Sequence, residues 1–206
     1  APDASSVDNL RSMGLKARIV ETSGNTGLEA LRDALVDVEP ASGPVVATLH
    51  RVENLHRSER FDGFLALLGR LAGRGLAVKF VVHPPTDGVL TRKGGRASVE
   101  AMGVATSDLV AYDEFVTMLA AAPLVITDGG SIQEECARLG VPTVLWRDRT
   151  ERPDGVGQNV LVSHYDDALV DNLLADLERW RRPRRLGDER PAAEVVDVLV
   201  EMSGGA

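Results

Sequence analysis

Residues 124–136 read LVITDGGSIQEEC, an apolar run that passes through a Gly-Gly turn into a segment of helical character that Gly140 can close. Glycines at the end of a buried strand let backbone approach a ligand, and a helix that starts there points unsatisfied N–H groups and the positive end of its dipole outward. That combination suits an anion such as a phosphate. Within it Gly129 and Gly130 form the turn. Ser131 and Glu134 have the Ser-x-x-Glu spacing of a capping box, so the plain reading is that they start the helix. Glu135 is not needed by such a box. One turn into the helix, on the Ser131 face, its carboxylate can accept hydrogen bonds from sugar hydroxyls; the alternative is a solvated surface glutamate.

Residues 45–54 read VVATLHRVEN, in which a buried-type strand delivers His50, Arg51, Glu53 and Asn54 into the loop that follows. In open α/β sheets, ligands sit outside the carboxyl ends of strands, which makes this cluster a second candidate. His50 can donate to a phosphate or act as acid or base, although a lone histidine is more often structural. Arg51 and Glu53 can equally form an ion pair that fixes the loop. His83, before Pro84-Pro85, is the weaker histidine and is expected to pack a loop. Residues 147–155, RDRTERPDG, form a charged loop after another apolar run, and Arg152, fixed by Pro153, can offer planar donors to a diphosphate; the alternative is a solvated salt-bridge loop.

The elements that must position these residues follow from periodicity. Short Val/Ile-rich runs alternate with segments of helical period, the pattern of βαβ units and a mainly parallel sheet, so the expected fold is α/β and Rossmann-like, with helices flanking the sheet. Strands are expected at 18–21, 45–49, 77–82, 109–112, 124–127 and 143–146, with a short one at 159–162. Helices are expected at 61–72, at 114–121 behind a cap at Asp113, at 166–181 and at 191–202, with 203–206 a frayed tail. Residues 86–99, with Asp-Gly and Gly-Gly dipeptides, read as a loop, with a short helix at its end as the alternative. The connector 38–43 before Pro44 divides the chain into residues 1–43, the end of a preceding domain, and 44–206, the main domain.

Composition narrows the partners. A net charge of −8 opposes general attraction to polyanions, so nucleic acid is not expected. No apolar run approaches the roughly 18 residues needed to span a bilayer, and the first ten residues lack the pattern of a signal peptide, so a cytoplasmic protein without a membrane partner is expected. One cysteine, Cys136, and four scattered histidines leave no disulfide framework and no metal-ligand cluster; the thiol is expected to be buried and inert. No cofactor is expected.

Taken in order, THRVEN (48–54, with Leu49 between Thr48 and His50), DGGSIQEE (128–135) and TERPD (150–154) resemble elements of the UDP-N-acetylglucosamine 2-epimerases, and the likeness runs from about Pro44 to the end. SGNT (23–26) resembles a run that precedes that domain in the family. The resemblance implies the C-terminal half of a two-Rossmann-domain GT-B architecture. It implies His50 as the catalytic contribution of this half, near the sugar and diphosphate, with Arg152 in the ligand cleft; Arg51 and Glu53, from the cluster after the strand, are expected to bind substrate. It places Gly129, Gly130 and Ser131 at the phosphates, Glu135 on the ribose and Phe115 near the uracil, where an aromatic beside a strand end can stack; core packing is the alternative for Phe115. Two departures stand out: the serine follows the glycines rather than preceding them, and Val52 occupies a position where arginine is common. The implied reaction, UDP-GlcNAc to UDP-ManNAc through elimination of UDP, serves cell-surface polysaccharide biosynthesis and uses acids and bases of an N-terminal half supplied in cis or in trans. The implied partners are a UDP-sugar substrate, that half and a possible homodimer. A UDP-sugar-binding module without catalysis, or half of a GT-B glycosyltransferase, are the competing readings.

Overall fold

The computed structural model describes residues 1–204; Gly205 and Ala206 of the expected tail lie outside them. Six parallel strands form one sheet: β1 (Val45–Leu49), β2 (Val78–Val82), β3 (Val104–Ser107), β4 (Val125–Thr127), β5 (Thr143–Leu145) and β6 (Val160–Val162). Their order is β3-β2-β1-β4-β5-β6, so the chain winds outward from β1 in one direction and then returns to β1's other side. The two directions part between β1 and β4, which makes that gap the topological switch point of a Rossmann-like sheet.

Every residue of β1 is buried because helices cover both faces of the sheet, which is why VVATL runs without the polar alternation of a half-exposed strand. Val45, Ala47 and Leu49 belong to the same core cluster as Phe61, Phe64, Leu67, Leu68 and Leu71 of α4 (Ser58–Gly73), whose spacing puts them on one helical face. Phe64 packs on Phe80 and Trp146 with ring centroids 5.4 and 6.3 Å apart. Each such ring contributes about 2 kcal/mol of burial free energy. The remaining helices of this unit are α3 (Val52–Leu55), α5 (Pro84–Thr91), α6 (Gly95–Glu100), α7 (Tyr112–Ala121), α8 (Gly130–Leu139), α9 (Asp167–Ala175) and α10 (Leu177–Trp180). On α7 and α8, Val116, Leu119, Ile132, Cys136 and Leu139 are buried.

Contacts divide the chain into Leu35–Arg185, which holds the whole sheet, and a second unit made of Ala1–Ala34 with the residues from Leu186 onward. The second unit contains three helices, Ala4–Ser12, Gly27–Ala34 and Pro191–Ser203. Glu194 accepts from the Ser23 amide at 2.8 Å and from its hydroxyl, and Arg18 pairs with Glu201 at 3.1 Å. The grouping of the last helix with the first residues was not expected from the sequence.

Four expectations are corrected. Residues 18–21 are not a strand: Val20 and Thr22 bond the backbone of Ala1 and have no sheet neighbour. The edge strand is Val104–Ser107, in register with Val78–Val81, and not 109–112, where Leu109 is half exposed and Tyr112 already begins α7. Residues 86–99 are helical on either side of a glycine turn, because Pro84 and Pro85 pre-set the first turn of α5 and Thr86, Val89 and Leu90 bury one face of it; Gly94 and Gly95 both have positive φ. The helix expected at 166–181 is broken at Asp176, which caps α10 through Arg179 N–H.

Candidate functional site

The carboxyl ends of β1 and β4 are tied together by Asp128, which is fully buried. One of its oxygens accepts from His50 N–H at 3.0 Å, and the other from Arg51 N–H and Asn54 Nδ2 at 2.9 Å each. These backbone donors lie where β1 has ended and α3 is starting, so no strand or helix partner would otherwise satisfy them. Asn54 also donates to Trp146 O at 3.0 Å and accepts from Tyr165 Oη at 2.9 Å, which links the ends of β1, β4 and β5. Thr127 adds a buried hydroxyl pair with Thr48 at 2.8 Å and accepts from Gly129 N–H at 3.0 Å.

His50 projects from this knot with its side chain 34% exposed. Its Nδ1 lies 3.3 Å from Asp128 Oδ1, within ion-pair distance but outside hydrogen-bond geometry, and is buried without another partner. The ring stacks on His83, with centroids 4.6 Å apart and planes at 29°. His83 is thus more than the loop-packing residue expected: burial, and then the neighbouring His50, hold its pKa below the usual histidine value.

Gly129 and Gly130 leave room for side chains that approach the turn closely. A Cβ at Gly129 would lie 2.9 Å from His50 Cε1, and one at Gly130 would lie 3.0 Å from Arg152 Nε. His50 thus lies against Gly129 and Arg152 against Gly130, at the start of α8, whose first i→i−4 bond runs from Gln133 N–H to Gly129 O at 3.0 Å. The preceding amides, of residues 130 to 132, are left outside the helix's own ladder, next to a guanidinium and an imidazole.

The expected capping box does not form. Gly129, in extended conformation, is the N-cap, so Ser131 is the second helical residue, exposed at the helix mouth, and Glu134 instead pairs with Arg152 Nη1. The loop carrying Arg152 is held by Gln133, which is fully buried: its Nε2 donates to Arg152 O and Asp154 O at 3.0 Å each, and its Oε1 accepts from Thr150 Oγ1 at 2.7 Å. Arg51 pairs with Glu53 at 2.9 Å and reaches Glu151 at 3.8 Å, as the ion-pair alternative for those two residues had it.

One turn further along α8, Glu135 accepts from Tyr112 Oη at 3.0 Å. Burial pushes the Glu135 carboxyl above its ordinary range, with the Tyr112 hydrogen bond opposing, and the Tyr112 phenol is raised as well, chiefly by burial. Phe115 is half-buried on the same face of α7, three residues from Tyr112.

The structure thus sets His50 beside Gly129 and Arg152 beside Gly130, places Ser131 and Glu135 along the same helix, and pairs Arg51 with Glu53. Asp128, Asn54, Gln133 and Tyr112 were missed as positioning residues. Two of them carried a signal: Asp128 as a charged residue at the end of an apolar run, and Asn54 as a member of the polar cluster that follows residues 45–49. Among the described residues no group of His, Cys, Asp and Glu could hold a metal ion, and no helix is long and apolar enough to cross a membrane. Cys136 is fully buried, its thiol pushed up to about 12 by desolvation.

Residues 1–200 match the family profile described as UDP-N-acetylglucosamine 2-epimerase. Among characterised relatives, the UDP-2,3-diacetamido-2,3-dideoxy-D-glucuronate 2-epimerase of Pseudomonas aeruginosa is 30% identical over 187 residues, covering 85% of this chain and 51% of the relative. The UDP-N-acetylglucosamine 2-epimerase of Methanocaldococcus jannaschii is 27% identical over 219 residues, covering 97% and 59%. A crystal structure of the M. jannaschii enzyme with UDP-GlcNAc and UDP superposes with a TM-score of 0.76 at 25% identity, over 98% of this chain and 60% of the other. The chain spans about half to three fifths of the length of these relatives, matching the C-terminal half of GT-B-type enzymes. On the strength of the profile match across nearly its whole length, this chain belongs to the UDP-N-acetylglucosamine 2-epimerase family.

Proposed function

We propose that this chain is the nucleotide-binding half of a UDP-GlcNAc 2-epimerase-like enzyme that converts UDP-GlcNAc to UDP-ManNAc through elimination of UDP. The observation that carries this reading is the placement of His50 beside Gly129 and of Arg152 beside Gly130, at the open amino end of α8 and at the switch point of the sheet. Such a site gathers N–H donors and positive charge where a diphosphate can enter, with little rearrangement. In the elimination, a base removes the C2 proton, the C1–oxygen bond breaks, and its electron pair leaves with the diphosphate. Negative charge therefore accumulates on the phosphate oxygens, where the α8 amides, Arg152 and His50 are aimed. His50 is the residue of this half able to donate to the leaving oxygen, Ser131 lies at the helix mouth, Arg51 and Glu53 flank the cleft, Glu135 takes the ribose hydroxyls and Phe115 the uracil face.

The proton-transfer groups at C2 belong, in this reading, to the other half of the protein, in cis or in trans. We further propose that 35–185 is the UDP-sugar domain and that 1–34 with the last helix belongs with the preceding half. The last helix fits that assignment, since Val196, Leu199, Val200 and Met202 are each more than half exposed. A cytoplasmic setting, a homodimer and a role in cell-surface polysaccharide biosynthesis are parts of the same proposal. The test is to combine the chain with the missing half and follow UDP-GlcNAc by NMR. UDP-ManNAc formation that disappears in His50→Ala supports the proposal; tight UDP binding without turnover would leave a binding module, and transfer only with an added acceptor would point to a glycosyltransferase.

A further inference from the structure

Tyr112 is the first residue of α7, delivered by extended backbone at Ala111, and it is 41% exposed with its hydroxyl 3.0 Å from Glu135 Oε1. Glu135 stands in an unfavourable place for a carboxylate. It is partly buried and adjoins Glu134, whose charge is already matched by Arg152. A neutral phenol donor compensates part of that cost without adding a charge. The choice of donor matters chemically. An arginine at this position would engage both carboxylate oxygens in a bidentate pair and compete directly with a ligand. The phenol engages one oxygen, fixes the side-chain rotamer, and leaves the second oxygen and further lone pairs for hydroxyl donors. Phe115 lies one turn along on the same face, so a base against Phe115 would bring its sugar toward the oriented carboxylate.

We infer that Tyr112 is a positioning residue for nucleotide recognition: its hydroxyl holds Glu135 in the orientation that accepts ribose hydroxyls, and so contributes to selection for ribonucleotides. This rests on the reading that Glu135 takes the ribose. The experiment is calorimetric titration of UDP and 2′,3′-dideoxy-UDP into the wild-type chain, Tyr112→Phe, Glu135→Gln and the double variant, with thermal melts of each. Tyr112→Phe keeps the ring and removes only the hydroxyl, so the melting temperature should hold. Its UDP affinity should fall by roughly 2- to 12-fold, the range of one hydrogen bond, while dideoxy-UDP affinity stays within about 2-fold. In the Glu135→Gln background the tyrosine substitution should cost nothing further. Equal losses for the two ligands, or an undiminished loss in the Glu135→Gln background, would overturn the inference, because Tyr112 would then act on the fold or touch the ligand directly. If Glu135→Gln discriminates the ligands and Tyr112→Phe does not, the ribose reading stands and the role of Tyr112 falls. If neither discriminates, both fall.

Discussion

Asp128→Asn tests whether a buried carboxylate, rather than the glycines beside it, sets the geometry of the site. Three N–H donors converge on Asp128: His50 N, Arg51 N and Asn54 Nδ2, at 3.0, 2.9 and 2.9 Å. An asparagine has one acceptor oxygen. Its best orientation keeps that oxygen at the Oδ2 position, facing Arg51 and Asn54, and turns the amide NH₂ against His50 N–H. That swap removes the charge from two retained hydrogen bonds and sets donor against donor at the third. An unsatisfied buried donor costs about 1–3 kcal/mol, and the weakened bonds add to it, so the loss should be about 2–4 kcal/mol. For a unit of this size that corresponds to a fall in melting temperature of roughly 5–15 °C. The backbone at His50 and Arg51 should loosen too, moving the imidazole off Gly129 and weakening UDP binding by about tenfold or more. Thermal melts followed by calorimetry check both effects. A variant that melts within about 2 °C of wild type and binds UDP unchanged would show that the β1 and β4 ends are held by the sheet alone.

Other substitutions separate alternatives at single positions. Ser131→Ala should change stability by less than about 0.5 kcal/mol, whereas loss of a true N-cap costs about 0.5–2 kcal/mol; urea titration distinguishes them. Gly130→Ala meets Arg152 Nε, the mobile part of a long side chain, so the fold should survive while UDP affinity falls several-fold, and an unaffected titration would remove the turn from the phosphate site. His83 has a depressed pKa in the fold, so its neutral form is the one that stabilises: that contribution is present above the unfolded value near 6.5 and is lost as pH falls below it. His83→Gln should therefore flatten the fall in melting temperature as pH drops below about 6.5; an unchanged slope would assign the acid sensitivity elsewhere.

The parts of this fold legible in the sequence were those fixed by local pattern. Strands 45–49 and 124–127 announce themselves because burial on both faces demands unbroken apolar runs, and the α4 face does so through helical spacing. What escaped depends on partners distant in sequence. LVAY at 109–112 has strand-like composition, but the edge is won by Val104–Ser107, which has β2 beside it in register. SIQE at 131–134 satisfies the capping-box spacing, yet backbone geometry puts the cap two residues earlier at Gly129, and Glu134 finds Arg152, 18 residues away. The Gly-Gly at 94–95 hid two short helices because it marks the turn between them and not a loop containing them. The site residues themselves were visible by type at strand ends. The residues that hold them, Asp128, Asn54 and Gln133, needed the topology.

Those holding residues also bear on why the site would suit the nucleotide proposed for it. Asp128, Asn54 and Gln133 direct most of their hydrogen-bonding capacity toward other parts of the protein, across β1, β4, β5 and the loop that carries Arg152. The groups with capacity to spare differ in sign along α8. At its mouth they are donors: the amides of residues 130 to 132, the remaining Arg152 N–H groups and the outer edge of His50. One turn on, the spare capacity is an acceptor, the Glu135 carboxylate. Gly130 and Glu135 are separated by five residues, a rise of roughly 7.5 Å along a helix. A ligand that satisfies both ends must carry anionic acceptors at one end and hydroxyl donors at that distance, which a nucleoside diphosphate does with its phosphates and ribose. A free sugar lacks the anion, and a bare phosphate lacks the hydroxyls. On the proposed binding mode, the cost of error falls in different places: a change at the mouth should weaken every phosphorylated ligand, while a change at Glu135 or Tyr112 should be felt only by ligands that carry the ribose hydroxyls.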